Sequence, residues 1–201
     1  MKTIEVKLYS FDELSEQAKD KAIEDTRNSD GYLDYEWWDS VYEDYKENII
    51  AEYFDVTKMY FRGFWSQGDG AMFEYDGITD KLFNDFVDSL DLSPMRKQWL
   101  KTQGYVSAQG RQSGHYYHEK SCSHSINLEP DFSWQSAENF ANWIESFQDD
   151  FEEYVKDEYV ELACSLYSAL EEEYNHLTSD EAIKELLIIN EYRFTEDGKV
   201  Y

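Results

Sequence analysis

Residues 59–75 read MYFRGFWSQGDGAMFEY, and this stretch decides the fold. Two runs rich in aromatic and apolar residues, Met59 to Trp65 and Ala71 to Tyr75, flank the turn formers Ser66-Gln67-Gly68-Asp69-Gly70. Period-two patterning on both sides of such a loop predicts a β-hairpin, and a hairpin implies an antiparallel sheet.

Outward from the hairpin the period changes to 3.6. On the N-terminal side, Thr3 to Tyr9 alternates as a strand, with Ile4, Val6 and Leu8 on one face. Ser10 and Glu13 form an S-x-x-E capping box, which predicts a helix from Phe11 to about Arg27. Asn28 to Gly31 is turn chemistry. A second helix is expected over about Leu33 to Phe54, with Trp38, Val41, Tyr45 and Ile49 on its buried face. On the C-terminal side, Thr79 to Leu90 is amphipathic, and a short helix after Pro94 holds Trp99 and Leu100. Tyr105 to Ala108 and His115 to Leu128 read as two further strands. Ser133 to Leu177 is one long helix or two in line. Ser179 caps Glu181 to Asn190, and Tyr192 to Tyr201 forms a hairpin around Asp197-Gly198. Without internal repeats or linkers, residues 1–201 are expected to form a single acidic α+β domain. Its antiparallel sheet is covered by several helices, including a long helix in the C-terminal half.

Composition narrows the classes. The chain carries 44 Asp and Glu against 18 Lys and Arg, a net charge of −26. Aromatic residues make up 17%, which excludes a disordered acidic tail, since such tails are poor in aromatics. No apolar run approaches the roughly 20 residues of a membrane-spanning helix, and the opening MKTIEVKLYS is not a signal peptide, so a cytoplasmic protein with no membrane partner is expected. A surface this negative repels phosphates, which argues against direct nucleic-acid binding and against anionic membranes. Cys122 and Cys164 suit free thiols better than a disulfide framework.

Three phrases carry a resemblance: YSFDELSEQAKDKAIEDTRN (9–28), GFWSQGDGAMFEY (63–75) and LTSDEAIKELLIINEYRFTEDGKVY (177–201). Together the chain resembles a family of small phage and prophage proteins, often labelled antitoxins of a toxin–antitoxin stability system. The resemblance implies an origin in the cytoplasm of a bacterial host. It brings no catalytic residues with it.

The residues themselves offer several candidate sites. Glu36, Asp39, Glu43 and Glu47 are spaced 3, 4 and 4 on the second helix, and Asp150, Glu153, Asp157 and Glu161 repeat that spacing on the long helix. Each set then lines one helix face about 16 Å long, with successive Cβ atoms about 5–6 Å apart. Duplex DNA carries a charge about every 1.7 Å, so 26 charges match roughly 44 Å of duplex, comparable with the diameter of a chain this size. The bland alternative is a solvated face that serves solubility. Glu158 falls within the apolar face of Phe147, Phe151, Tyr154, Val155 and Leu162; an edge residue reaching water, a buried structural pair and a catalytic acid are all open readings. His115, His118, Cys122 and His124 lie within ten positions, and on a regular strand the last three would share a face. No C-x-x-C or H-E-x-x-H spacing accompanies them, so no metal and no cofactor is expected. The glycines of the hairpin loop form neither a dinucleotide fingerprint nor a Walker loop, but Trp65 and Gln67 at its rim are candidate contact residues.

These features point to a phage-derived, non-enzymatic inhibitor. Its acidic, nucleic-acid-like surface would bind a bacterial defence protein or another protein with a basic nucleic-acid-binding groove. The alternatives are an antitoxin-like or dimeric structural protein, working as a homodimer, and an enzyme using carboxylates and histidines.

Overall fold

The hairpin is present, and it opens a four-stranded antiparallel sheet in the order β1 (Phe54–Arg62), β2 (Gly70–Ile78), β3 (Gly104–Gln112) and β4 (Cys122–Pro130). The computed structural model describes residues 5–33, 36–130 and 138–201; for 103, 104, 129, 130 and 138–145 it describes the backbone alone. Among the described residues six α-helices accompany the sheet: α1 (Glu16–Arg27), α2 (Asp39–Asp44), α3 (Asp80–Ser89), α4 (Pro94–Gln103), α5 (Glu138–Leu177) and α6 (Asp180–Ile189). The architecture is therefore α+β, with a 40-residue helix in the C-terminal half. The chain divides into two compact units: a sheet unit, Ser40–Leu170, and a terminal unit, Met1–Asp39 with Glu171–Tyr201.

In the sheet unit, Phe147, Phe151, Val155, Tyr159, Leu162 and Leu166 of α5 are all buried. Their spacing of three or four keeps them on one helix face. Tyr159 meets the sheet, its ring 4.4 Å from that of Phe73 on β2 and edge-on to Phe54 of β1 at 6.2 Å. Its hydroxyl donates to Phe73 O at 2.9 Å and accepts from Phe73 N at 3.2 Å, satisfying a buried phenol against buried backbone. α3 closes the other end of the core, with Phe83 and Phe86 at 5.4 and 5.1 Å from Phe151. Gly110 of β3 pairs with Tyr75, and a Cβ there would lie 2.2 Å from the Tyr75 ring. Glycine is thus what lets β3 pass the tyrosine.

The terminal unit has a smaller core of Phe11, Leu14, Ala18, Ala22, Ile183, Leu187 and Phe194. Ser15 caps α1 by accepting from Ala18 N at 3.3 Å, and Ser179 caps α6 by accepting from Ala182 N at 3.2 Å. Arg27 ties the two helices, donating to Thr178 O at 2.9 Å and pairing with Asp180. The C-terminal hairpin forms around Asp197-Gly198, with Gly198 at φ 82°, where a Cβ would lie 2.2 Å from Ala18 O.

Several expected elements differ. Residues 5–8 form no strand and Val6 is exposed; only Tyr9 bridges, to Phe194, and Ile4 lies outside the described residues. The Ser10–Glu13 capping box is real but opens a single 3-10 turn, Phe11–Glu13, because Leu14 turns to extended backbone and Ser15 starts a fresh helix. The second helix is not continuous over Leu33 to Phe54, whose residues 34 and 35 lie outside the described residues. It runs as α2, then a π segment, Tyr45–Ile49, then a 3-10 turn, Ile50–Glu52. In the π segment Ile50 N donates to Tyr45 O, five residues back, so Ile50 replaces the expected Ile49 as the buried residue. β1 stops at Arg62, leaving Phe64 and Trp65 in the loop. Strand β4 begins at Cys122, so His115 to His118 are loop. The first residues of the expected Ser133 to Leu177 helix, 133–137, lie outside the described residues.

Candidate functional site

The acidic face of α5 is where its sequence places it. Asp150, Glu153, Asp157 and Glu161 are all exposed on regular helix, opposite the buried Phe151-Val155-Leu162 face. The other four carboxylates are exposed too, but on mixed backbone. Glu36 has a left-handed φ of 74° and precedes the helix, Asp39 and Glu43 are on α2, and Glu47 is in the π segment. Glu36 and Asp39 belong to the terminal unit, Glu43 and Glu47 to the sheet unit.

Within the sheet unit Tyr45 ties the π segment to α5. Its hydroxyl donates to Ser165 O at 3.0 Å and lies 2.8 Å from Ser165 Oγ. Ser165 is four residues after Glu161, so it continues the same face of α5 about 6 Å further along the axis. Glu43 and Glu47 stand two residues to either side of Tyr45, so while Tyr45 is buried against α5 both carboxylates are exposed on the opposite side of their segment. None of Glu43, Glu47, Asp150, Glu153, Asp157 and Glu161 is in an ion pair among the described residues. Four bases of the unit pair with other carboxylates: Lys81 with Glu52 and Asp85, Lys101 with Asp88, Arg111 with Asp76, Lys156 with Glu152. At its other end the row reaches a shallow cleft where Asp150 and Asp91 stand beside Leu90, Leu92 and Phe147.

Trp65 and Gln67 occupy the tip of the β1–β2 loop, both exposed, Trp65 at 76%. Asp69 builds that tip: one carboxylate oxygen accepts from Trp65 N at 3.0 Å and Ser66 N at 2.6 Å. Phe64 anchors it to α5, its ring 5.5 Å from Tyr167, whose hydroxyl donates to Phe64 O at 3.3 Å.

The histidine cluster separates. His115 is exposed in the loop, and His118 Nδ1 accepts from Lys120 N at 3.1 Å, capping a 3-10 turn. Cys122 and His124 remain together on one face of β4, with Sγ 4.0 Å from Nδ1. A pairing invisible in the sequence completes them: Tyr75 OH lies 2.9 Å from His124 Nδ1, and Tyr159 stands edge-on to the imidazole at 4.7 Å. Burial, with the charge of Lys156 second, drives the imidazole down to about 4, while burial raises the Tyr75 phenol far above its usual range. His124 is therefore neutral at physiological pH, and its Nδ1 shares a hydrogen bond with the Tyr75 hydroxyl. Burial also pushes the Cys122 thiol up to about 11, which makes it a poor nucleophile. Both cysteines are free. Among the described residues no group of three His, Cys, Asp or Glu side chains is arranged to hold a metal ion. Glu158 is half-buried at the helix edge, and the Tyr154 phenol is pushed up to about 12 by burial first and by the Glu158 charge second.

Residues 37–180 match the family described as a domain of unknown function (DUF8835), and the chain belongs to that family. The match takes in the whole sheet unit, with α1 and nearly all of α6 outside it. No curated protein and no solved structure matches the chain. Among the described residues no helix is long and apolar enough to cross a membrane.

Proposed function

We propose that this protein is a non-enzymatic inhibitor whose acidic face takes the place of nucleic acid in the basic groove of a bacterial protein. The observation that carries the reading is the row Asp150, Glu153, Asp157 and Glu161, exposed on one face of α5 and in no ion pair among the described residues. Carboxylates a helical turn apart offer a basic groove a line of anionic oxygens, as a phosphate backbone does. The Asp91–Asp150 cleft, walled by Leu90 and Phe147, suits one Lys or Arg side chain with its stem on the apolar wall. Trp65 and Gln67 add an aromatic and amide contact of the kind enriched at interfaces. On the resemblance to phage and prophage proteins, the proposed target is a defence complex or toxin of a bacterial cytoplasm.

The test begins with capture from bacterial lysate at about 0.1 M salt and release at about 1 M, a change that shortens the Debye length from about 10 to about 3 Å. The released protein is then bound to wild type and to a variant with Asp150→Asn, Glu153→Gln, Asp157→Asn and Glu161→Gln. Steered binding predicts loss of affinity in the variant and displacement of wild type by duplex DNA or RNA. A variant that binds as tightly, with no competition by nucleic acid, refutes the reading.

A further inference from the structure

The charge of the sheet unit is not all of one sign. In a chain where more than one residue in five is acidic, residues 92–118 contain none of the 44 acids and four of the 18 bases, Arg96, Lys97, Lys101 and Arg111. Three of those bases stand on α4, the one α-helix of the six described with more bases than acids. Lys97 and Lys101 line a cleft with Leu92, Pro94 and Gln98. Their ammonium groups tie α4 to α3: Lys97 Nζ donates to Asp88 O at 2.6 Å and Lys101 Nζ to the Asp88 carboxylate at 2.7 Å, and an ammonium has three donors in all. Arg96 is exposed and in no ion pair among the described residues. Beside it Met95, 83% exposed, is the most exposed large apolar side chain among them. Met and Arg are both enriched at protein interfaces.

This basic helix adjoins the acidic row. Leu92 belongs to two clefts, that of Lys97 and Lys101 and that of Asp91, Phe147 and Asp150, where the row begins. A partner that fits both is basic along its groove and acidic at one point beside it. A groove that only holds nucleic acid gains nothing from carboxylates, which repel phosphates. Carboxylates belong in such a groove when they hold the divalent cations of phosphoryl transfer, which clamp the attacking and leaving oxygens at the scissile phosphate.

Building on the role proposed for the α5 row, we propose that the target is a metal-dependent nuclease. The row lies along its basic groove, and the bases of α4 stand over the carboxylates of its metal centre. The cations of α4 then occupy the place of the divalent ions, so inhibitor and metal compete for one site. An emptied centre attracts α4, and a metal-loaded centre repels it.

The protein captured from bacterial lysate is identified, assayed for nuclease activity and bound to the full chain by calorimetry, with EDTA or with magnesium chloride at matched ionic strength. Wild type should bind roughly tenfold more tightly in EDTA. Magnesium also screens the acidic row, so the deciding comparison is with Arg96→Glu, Lys97→Glu. That double variant is four charges more negative, and general attraction to a basic groove would make it bind more tightly. Set over bare carboxylates, it should instead bind roughly tenfold more weakly in EDTA, and magnesium should help it. Arg96→Gln leaves both ties to Asp88 in place and should show the same loss in EDTA at smaller size. A captured partner without metal-dependent nuclease activity overturns the assignment. So does a double variant that binds as tightly as wild type in EDTA, or a wild-type affinity that magnesium leaves unchanged. Loss of binding in the α5-row variant with none in the α4 variants overturns the nuclease assignment alone. An α5-row variant that still binds, or a lysate that yields no partner, overturns the proposed function with it.

Discussion

The sheet unit and the terminal unit are held by different means. Rings fill the first: Phe54, Phe73, Tyr75, Phe83, Phe86, Phe151 and Tyr159 are all buried, most with another ring within about 6 Å. The second closes α1 on α6 over alanine, leucine and isoleucine, with Phe11 and Phe194 edge-on at 6.1 Å. Charge divides differently again. The sheet unit has 24 acidic and 10 basic residues, net −14 over 131 positions; the terminal unit has 20 and 8, net −12 over 70. Acid is therefore denser in the terminal unit, where Glu16, Asp25 and Asp180 pair with Lys19, Lys21 and Arg27. The α5 row has no such partners. What sets a surface apart for binding is the arrangement of charge, and its density alone is a poor guide.

The largest expected effect tests the packing half of that comparison. Phe151 is fully buried against Phe83 and Phe86, so Phe151→Ala should cost about 3–5 kcal/mol in urea unfolding. Leu187→Ala in the terminal unit removes less apolar surface and should cost about 2–3 kcal/mol. An equal or greater loss at Leu187 would mean that the rings are not what holds the sheet unit.

A smaller effect comes from the Tyr75–His124 bond. The folded imidazole titrates near 4, below its ordinary 6.5, because burial disfavours its charged form. Between those values the unfolded chain binds a proton that the folded chain does not, so stability falls as pH drops from about 6.5 to about 4. Allowing for the solvent that reaches a half-buried ring, the loss is about 1–2 kcal/mol. His124→Gln can still accept from Tyr75 but does not titrate. Protonation of the many carboxylates is common to both proteins, so the difference between their pH–stability curves isolates the imidazole. Parallel curves between pH 4 and 6.5 would show that His124 is freely charged in the folded state.

Legibility in the sequence followed the range of the interactions. The hairpin, α3, α4, α5 and α6 are written in local periodicity, and Ser179 marks the start of α6 by itself. The π segment was not legible, because its extra residue shifts the burial from Ile49 to Ile50 through contacts with α5, 120 positions away. Two caps in succession, Ser10 and Ser15, read as one helix when each starts its own. His124 was singled out for its neighbours in the chain, but its partner Tyr75 lies 49 residues back across β3. The carboxylates of α5 stand on the exposed face that their spacing predicts, because a single regular helix carries them. Those around α2 were not all placed on one helix, since Glu36 precedes it.

The smallest effect is expected where the proposed binding is concentrated. With Asp150→Asn, Glu153→Gln, Asp157→Asn and Glu161→Gln, stability should rise slightly, by about 0.5–1 kcal/mol. The four carboxylates are spaced 3, 4 and 4 with no base in the row, and each like-charged pair at that spacing costs an exposed helix a few tenths of a kcal/mol. The row lies in the interior of α5, Glu138–Leu177, beyond reach of the helix termini, so no dipole stabilisation is lost. In the terminal unit the same chemistry should act with the opposite sign: Glu16→Gln removes the partner of Lys19 at 2.9 Å and should lower stability slightly. Thermal unfolding of the two variants side by side reads both signs, and raised salt should shrink both, as screening acts on repulsion and attraction alike. Should neutralising the α5 row cost more than about 1 kcal/mol instead, those carboxylates hold the fold together. Their freedom to meet a partner, on which the proposed function depends, would then be gone.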